Sequence, residues 1–437
     1  MTRRPARILI AGAGYIGLYA ALELEARLGA HEASITLVNP DNFMLYQPLL
    51  PEVASATIEP RHAVVPLRKV LGRTRFVKGR LTGLDHGTRR ADVQPVDGPG
   101  SVYDYDHVVI GLGSTSRILP VPGLKENAVG FKSIEEALYL RNHVLGRMEA
   151  AEATRDPDVR SRALTFVVVG GGYTGVEALA ELEDLTRAVC GYYPSITVGD
   201  LRWVLVEATD RILPTVDERL AGYALAELRA RGIDVRLRTL LESVEGGFLR
   251  LSDGETIRSD TLVWVAGVQP HPLIGELGLP TTEDGRLDAD AYLRVRGVDG
   301  AWTGGDGAAV PDLAAGGTVP PTAQHARRQG TKVGENLVAA LRGAPLQEFR
   351  HRSVGELVTL GRRKGVGQVM GRHVRGTAAW ALRRAYYLAS IPSPSSRARI
   401  LSDWLVGLPF RRDIVQLSPV RSPAEVLTDA RSEQDAA

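Results

Sequence analysis

The chain carries one pattern twice: ARILIAGAGYIGLYAALELEAR at residues 6–27 and LTFVVVGGGYTGVEALAEL at residues 164–182. Each copy opens with a short aliphatic run suited to a buried parallel strand, passes through Gly-x-Gly-x-x-Gly, and continues with leucines and alanines on one face of a helix. Gly12 permits the tight turn, Gly14 lets a pyrophosphate approach the backbone, and Gly17 lets the helix pack on the strand. Gly170, Gly172 and Gly175 repeat the set. Each helix start then offers free N–H groups and a positive dipole end to a phosphate. A lone glycine fingerprint says little. With a strand before it, a helix after it and a second strand following, it predicts a dinucleotide cradle, and this chain has two.

The second strand of such a unit normally ends in an acid for the ribose. In ASITLVNPDNF that place holds Asn39, with Asp41 two residues on. An amide can also meet a ribose hydroxyl, so both readings stand. In LRWVLVEATDRILP it is Glu207, suited to the two ribose hydroxyls of NADH and repellent to the extra phosphate of NADPH, with Arg211 close enough to soften that preference. The fingerprint-to-acid spacing exceeds the usual ~20 residues, because EDLTRAVCGYYPSITVGD reads as an extended helix plus a loop. Two dinucleotides held together imply hydride transfer from a nicotinamide to a flavin, which needs no protein nucleophile. The rival reading, one working site and one degenerate duplicate, is opposed by the second copy's intact glycines and acid.

Composition bounds the rest. A chain of 437 residues predicts two or three domains, and a net charge of +2 points to no partner. The single cysteine, Cys190, excludes an intrachain disulfide, a redox dithiol and a cysteine-ligated metal centre within one chain; it reads as a small buried apolar residue, and no metal site is expected. Arg3, Arg4 and Arg7 before Ile8–Leu22 mimic a signal peptide, but cleavage would remove the first phosphate loop, so a cytoplasmic protein is expected. No stretch approaches the ~18 apolar residues of a membrane span.

The sequence resembles the flavoproteins with two dinucleotide-binding domains, on YDHVVIGLGSTSRILPVPG (105–123), DTLVWVAGVQP (260–270) and VDGAWTGGDGAAV (298–310) in addition to the cradles. Within that group it is most similar to the type II NADH:quinone oxidoreductases, on NPDNFMLYQPLLPEVASATI (39–58), TGVE (174–177) and AQHARRQG (323–330). The resemblance implies an α/β fold of two Rossmann-like domains, an FAD domain interrupted by an NAD domain, plus a C-terminal α/β membrane-associating region. It implies FAD on Gly12, Gly14, Gly17, Asn39, Gly113, Asp306 and Gln324, with Asp306 holding the ribityl chain. NADH is implied on Gly170, Gly172, Gly175, Glu207 and Gly267, and Glu177 near the junction of the two rings. A helix is expected to start near Thr322, its amides facing the flavin. In the family two glutamines of this helix border the quinone pocket; Gln324 matches the first, and Arg328, with Gln329 beside it, stands at the second. Disulfide reductases and sulfide:quinone reductases need cysteine pairs that this chain lacks. The expected division is 1–135 and 285–345 for the FAD domain, 136–284 for the NAD domain and 346–437 for the C-terminal region.

The C-terminal third adds an argument from charge. Residues 350–412 hold 13 Arg and Lys against Glu356 and Asp403. GTAAWALRRAYYLASIP presents Trp380, Tyr386 and Tyr387, and RARILSDWLVGLPFRRD presents Ile400, Leu401, Trp404, Leu405 and Leu408 at helical spacing. Arginines beside such a stripe suit a helix lying on an anionic bilayer; a homodimer contact is the second reading. Nucleic-acid binding has no recognisable module behind it. The tail from Asp413 turns acidic and reads as disordered. The expected function is an FAD-dependent NADH dehydrogenase on the cytoplasmic face of the cell membrane, peripheral, passing electrons to a quinone without proton pumping. The alternatives are a soluble NAD(P)H:acceptor reductase for a small redox protein, and a flavin- and NAD-binding sensor with little turnover that Arg328 would suit.

Overall fold

Valine and isoleucine on both faces of a strand demand cover on both sides, and the chain answers with two parallel sheets flanked by helices. The computed structural model describes residues 4–351, 355–410 and 412–416. The first sheet runs, in spatial order, Ala301–Thr303, His107–Ile110, Ala6–Ala11, Ala33–Asn39, Arg75–Asp85, Arg90–Pro95 and Ser101–Asp104. Its first five strands are parallel and the last two extend it as an antiparallel meander. The second sheet is parallel throughout: Ala128–Val129, Thr261–Trp264, Thr165–Val169, Arg202–Val206 and Asp234–Arg236. The strand at 301–303, returning after the second sheet to pair with His107–Ile110, makes the first domain discontinuous. Ala128–Val129 already pairs with Leu262 and Val263, ahead of the expected boundary at 135.

Helix α1 (Tyr15–Arg27) follows the first fingerprint, α2 (Leu50–Ala54) follows the Pro-Leu-Leu segment, and α3 (Tyr173–Val189) follows the second fingerprint. Helix α4 (Ala323–Leu341) starts where expected: Thr322 is its N-cap and accepts the backbone N–H of His325. Gly330 and Gly334 let α4 lie backbone to backbone on α1, since a Cβ at Gly330 would stand 2.6 Å from the Tyr15 carbonyl oxygen and one at Gly334 2.6 Å from Glu23 Cβ.

The C-terminal region is a three-stranded antiparallel sheet, Gly355–Thr359, Gly365–Val369 and Arg372–Arg375, followed by α5 (Gly376–Ser390) and α6 (Pro394–Val406). Pro394 opens α6 behind the Ser393 cap. The expected stripe divides. Ile400 and Trp404 are buried, whereas Leu401, Leu405, Val406, Leu408 and Phe410 are exposed beside exposed Arg397 and Arg399. Trp380 lies under the Arg384 guanidinium, 4.0 Å from its ring centre. Cys190 is buried as expected. The acidic tail beyond Gln416 lies outside the described residues.

Candidate active site

The two cradles are built alike, atom for atom. Gly12 and Gly170 take φ of +95° and +116°, and each donates its N–H at 2.8 Å to the neighbouring strand, at Val38 and Val206. A Cβ at Gly12 would meet the Gly111 carbonyl at 2.4 Å, and one at Gly170 the Val265 carbonyl at 2.9 Å. A Cβ at Gly17 or Gly175 would sit 1.8 Å from the carbonyl of the first glycine in its own loop. At Gly14 and Gly172 nothing stands within 4 Å. The outer glycines are thus demanded by the fold, and the middle one faces open space where a phosphate can approach.

The strand-end side chains also correspond. Asn39 Oδ1 accepts the Ala13 N–H at 2.8 Å, and Glu207 Oε2 accepts the Gly171 N–H at 2.5 Å. The Asn39 amide also donates to the Asp41 carbonyl at 2.9 Å, so this side chain holds the loop. Asp41 is then the acid on that wall, and burial raises its carboxyl above the ordinary value. Glu207 Oε1 is fixed by the N–H and hydroxyl of Thr209, both at 2.7 Å. Arg211 does not approach it: its guanidinium donates to the carbonyls of Pro214 and Val216. The expected softening of nicotinamide specificity by Arg211 would require its guanidinium to leave these carbonyls.

A cavity of about 990 Å³ runs from the first cradle to the opening turn of the helix behind the second. Its walls include Gly12, Gly14, Asn39, Gly113, Asp306 and Gln324 on the first side, and Tyr173, Glu177 and Gly267 on the second. Leu382, Ala385 and Tyr386 of α5 line it as well. Gly170, Gly172, Gly175 and Glu207 lie outside this cavity, on the second cradle's own rim. Asp306 accepts the Ser114 hydroxyl at 2.7 Å, and the Lys132 ammonium bonds Ser114 and lies 3.8 Å from Asp306. Burial lowers the Lys132 pKa while Asp306 opposes that. The Asp306 carboxylate is thereby steadied with capacity left for a ribityl hydroxyl. An elongated cavity that begins at an open glycine cradle and ends beside such a carboxylate fits a flavin dinucleotide, and the second cradle with Glu207 fits NADH.

Glu177 is buried where the two domains and the C-terminal region meet. Its Oε1 accepts the Thr359 N–H at 2.8 Å, and Arg383 approaches its two oxygens at 2.9 and 3.1 Å. Burial pushes the Glu177 carboxyl up and Arg383 pulls it back. Arg383 also reaches Glu52 of α2 at 3.2 Å and the Pro48 carbonyl at 2.9 Å. Glu52 in turn accepts Arg384 at 3.2 Å and the Trp404 indole at 2.6 Å. Arg412 pairs with Glu181 at 3.4 Å. Three of the C-terminal arginines therefore face inward, onto carboxylates, and are not available to a lipid surface.

Arg328 corrects the expectation for its position. It does not line the cavity; its guanidinium donates to His351 Nε2 at 2.6 Å. Arg327, one residue earlier, lines the cavity and lies over the Tyr19 ring at 5.8 Å. A helix turns 100° per residue, so positions three and four beyond Gln324 fall on either side of its face, and here the third is the inner one. Gln329 is buried and accepts the Gly305 N–H at 2.6 Å, fastening the Asp306 loop. The sequence reading missed Lys132, Arg383 and Tyr173, whose hydroxyl bonds Glu356 at the cavity wall. Ser133-x-x-Glu136 is a capping box legible in sequence, and it fixes Lys132 just ahead of a helix. No local signal exists for Arg383.

Residues 6–330 match the family model described as pyridine nucleotide-disulphide oxidoreductase. A type II NADH:quinone oxidoreductase of Staphylococcus aureus is 30% identical over 378 residues, covering 85% of this chain and 92% of that protein. A probable NADH dehydrogenase of Dictyostelium discoideum is 29% identical over 419 residues, 93% of this chain and 90% of that one. The solved structure of NDH2 from Plasmodium falciparum in complex with NADH superimposes with a TM-score of 0.87 at 18% identity, over 94% of this chain and all of that chain. With the twin cradles, the cavity and these matches together, the chain belongs to the pyridine nucleotide-disulphide oxidoreductase family and, within it, to the type II NADH:quinone oxidoreductases.

Proposed function

We propose that the protein oxidises NADH through a bound FAD and passes two electrons to a membrane quinone, without proton pumping, while resting on the cytoplasmic face of the cell membrane. The observation that carries this reading is the single cavity running from the first cradle, past Asp306, to Glu177 of the second domain and out to α5. Bound flavin would supply hydride acceptance and two-electron transfer. The chain's own part is to hold and orient: Gly14 and Gly172 admit the pyrophosphates, Asp306 the ribityl chain and Glu207 the ribose of NADH. Gln324, Arg327, Leu382 and Tyr386 would border the acceptor, in a pocket mixing apolar surface with a few polar groups.

Support for a membrane position comes from the exposed Leu401, Leu405, Val406, Leu408 and Phe410, flanked by Arg397 and Arg399. Among the described residues no helix is long and apolar enough to cross a membrane. Docking of an acidic redox protein loses the inward-facing Arg383, Arg384 and Arg412 as contacts. The sensor reading loses Arg328, which stands off the cavity.

The test is rapid mixing. NADH should bleach the flavin absorbance, and a short-chain quinone should restore it at a rate that accounts for steady-state turnover. Failure of the quinone to restore it refutes the acceptor assignment. Liposomes with anionic lipid should sediment the protein, and Leu405→Glu with Phe410→Glu should abolish this; unchanged sedimentation refutes the proposed surface.

A further inference from the structure

Reduction of a quinone by NADH consumes one proton beyond the hydride: NADH, quinone and H⁺ give NAD⁺ and quinol. Three carboxylates on the cavity wall are already committed. Glu177 is held by Arg383 and Thr359, Asp306 by Ser114 and Lys132, and Glu356 by Tyr173. His271 accepts the Leu273 N–H on Nδ1.

His325 differs. It lines the cavity one residue beyond Gln324. Thr322 Oγ1 accepts the His325 backbone N–H at 3.3 Å and lies 2.7 Å from His325 Nδ1. The hydroxyl can donate to Nδ1 of one neutral tautomer or accept from the Nδ1–H of the imidazolium, so it supports the ring before and after loss of the Nε2 proton, and Nε2 has no partner among the described residues. Behind it, the His351 ring packs edge-on at 4.8 Å, and Arg328 donates to His351 Nε2, placing that ring's proton on Nδ1.

We propose that His325 is the proton donor of the acceptor half-reaction, handing its Nε2 proton to a quinone oxygen, with Arg328 and His351 as the positioning residues behind it; the inference rests on the quinone reading above. The N–H bond of the imidazolium breaks, an O–H bond forms on the reduced acceptor, and the neutral imidazole regains a proton from solvent. The groups facing His325 are Thr322 and Arg328 of its own helix, His351, and Asp312 of the preceding loop. Burial, and then Arg328, lower the His325 pKa, and Asp312 opposes them. Both burial and Arg328 thus favour release of the ring proton to the acceptor.

The test separates the half-reactions. Holoenzyme reduced with NADH is mixed with menadione between pH 5.5 and 8.5. Wild-type reoxidation should quicken as pH falls through the range below 6.5. His325→Ala and His325→Gln should slow it by at least about tenfold and flatten the profile, and added imidazole should restore part of the His325→Ala rate. Arg328→Met, which removes a positive neighbour, should move the wild-type profile toward higher pH. Retention of the wild-type rate and profile in both His325 variants overturns the inference and leaves the quinone reading standing. Slower reoxidation that keeps its pH dependence and ignores imidazole also overturns it, because the ring then serves only packing. A wild-type flavin that menadione cannot reoxidise overturns both.

Discussion

Replacing Arg383 with methionine keeps the stem of the side chain and removes a charge that is 1% exposed. Its two partners are affected differently. Glu52 keeps Arg384 at 3.2 Å and the Trp404 indole at 2.6 Å, whereas Glu177 keeps only the Thr359 N–H at 2.8 Å. The variant therefore strands one buried carboxylate, and breaking a buried pair in this way costs about 3–5 kcal/mol. The loss should depend on pH. Glu177 is held above its ordinary value by burial even with Arg383 present, and losing Arg383 raises it further. A carboxyl whose folded pKa lies above its unfolded one contributes stability that is complete below the unfolded value, near ~4.3, and is lost as pH rises through the folded value. The gap between variant and wild type is thus widest near pH 8 and narrows toward pH 5. Urea unfolding followed by tryptophan fluorescence is a suitable assay, because Trp380 and Trp404 stack on Arg384 within this cluster. Glu177→Gln in the Arg383→Met background should recover most of the loss and remove its pH dependence. A loss below about 1 kcal/mol, the size of a surface pair, or no recovery in the double variant, would refute the reasoning.

The cradle geometry makes paired predictions. Gly14→Val enters open space and should leave a folded but colourless protein, whereas Gly17→Ala meets the Gly12 carbonyl at 1.8 Å and should fail to accumulate as folded protein; absorbance at the flavin band and circular dichroism distinguish them. Gly172→Val should keep the flavin and lose NADH, seen as a yellow protein that NADH no longer bleaches. Glu207→Gln removes a charge-assisted acceptor worth about 1.5–3 kcal/mol, so titration should show NADH binding weakened by about tenfold or more and discrimination against NADPH reduced. Retained preference for NADH in that variant would move specificity to another residue.

The fold and the cradles were legible because their constraints are local. A carbonyl 1.8 Å from a would-be Cβ forces glycine whatever the rest of the chain does, and that requirement is written within six residues of sequence. The Thr322 cap and the strand into Glu207 were readable for the same reason. Arg328 was misplaced because spacing along a helix gives a face only to within one position, and Arg327 and Arg328 straddle it. For Arg211, sequence shows that a cation is near Glu207, but not that two backbone carbonyls already hold it.

The C-terminal arginines show a deeper limit. An arginine beside tryptophan and tyrosine has the same local signature whether it faces lipid headgroups or carboxylates, since both offer anions next to apolar surface. The choice depends on partners far away in sequence: Glu52 lies 331 residues before Arg383, and Glu177 lies 206 before it. The consequence is mechanical. Glu52 belongs to a helix on the flavin side of the cavity and Glu177 to the helix of the second fingerprint, so one guanidinium from α5 grips both. The same two elements also meet directly, Ser55 donating to Glu181 at 3.0 Å, so the C-terminal region reinforces the separation of the two cradles with a fully desolvated bridge that costs several kcal/mol to break, and a hydride can cross only a short, fixed gap. A region that from sequence reads as a membrane attachment therefore helps hold the two cofactor sites facing each other, with α5 lining the cavity between them.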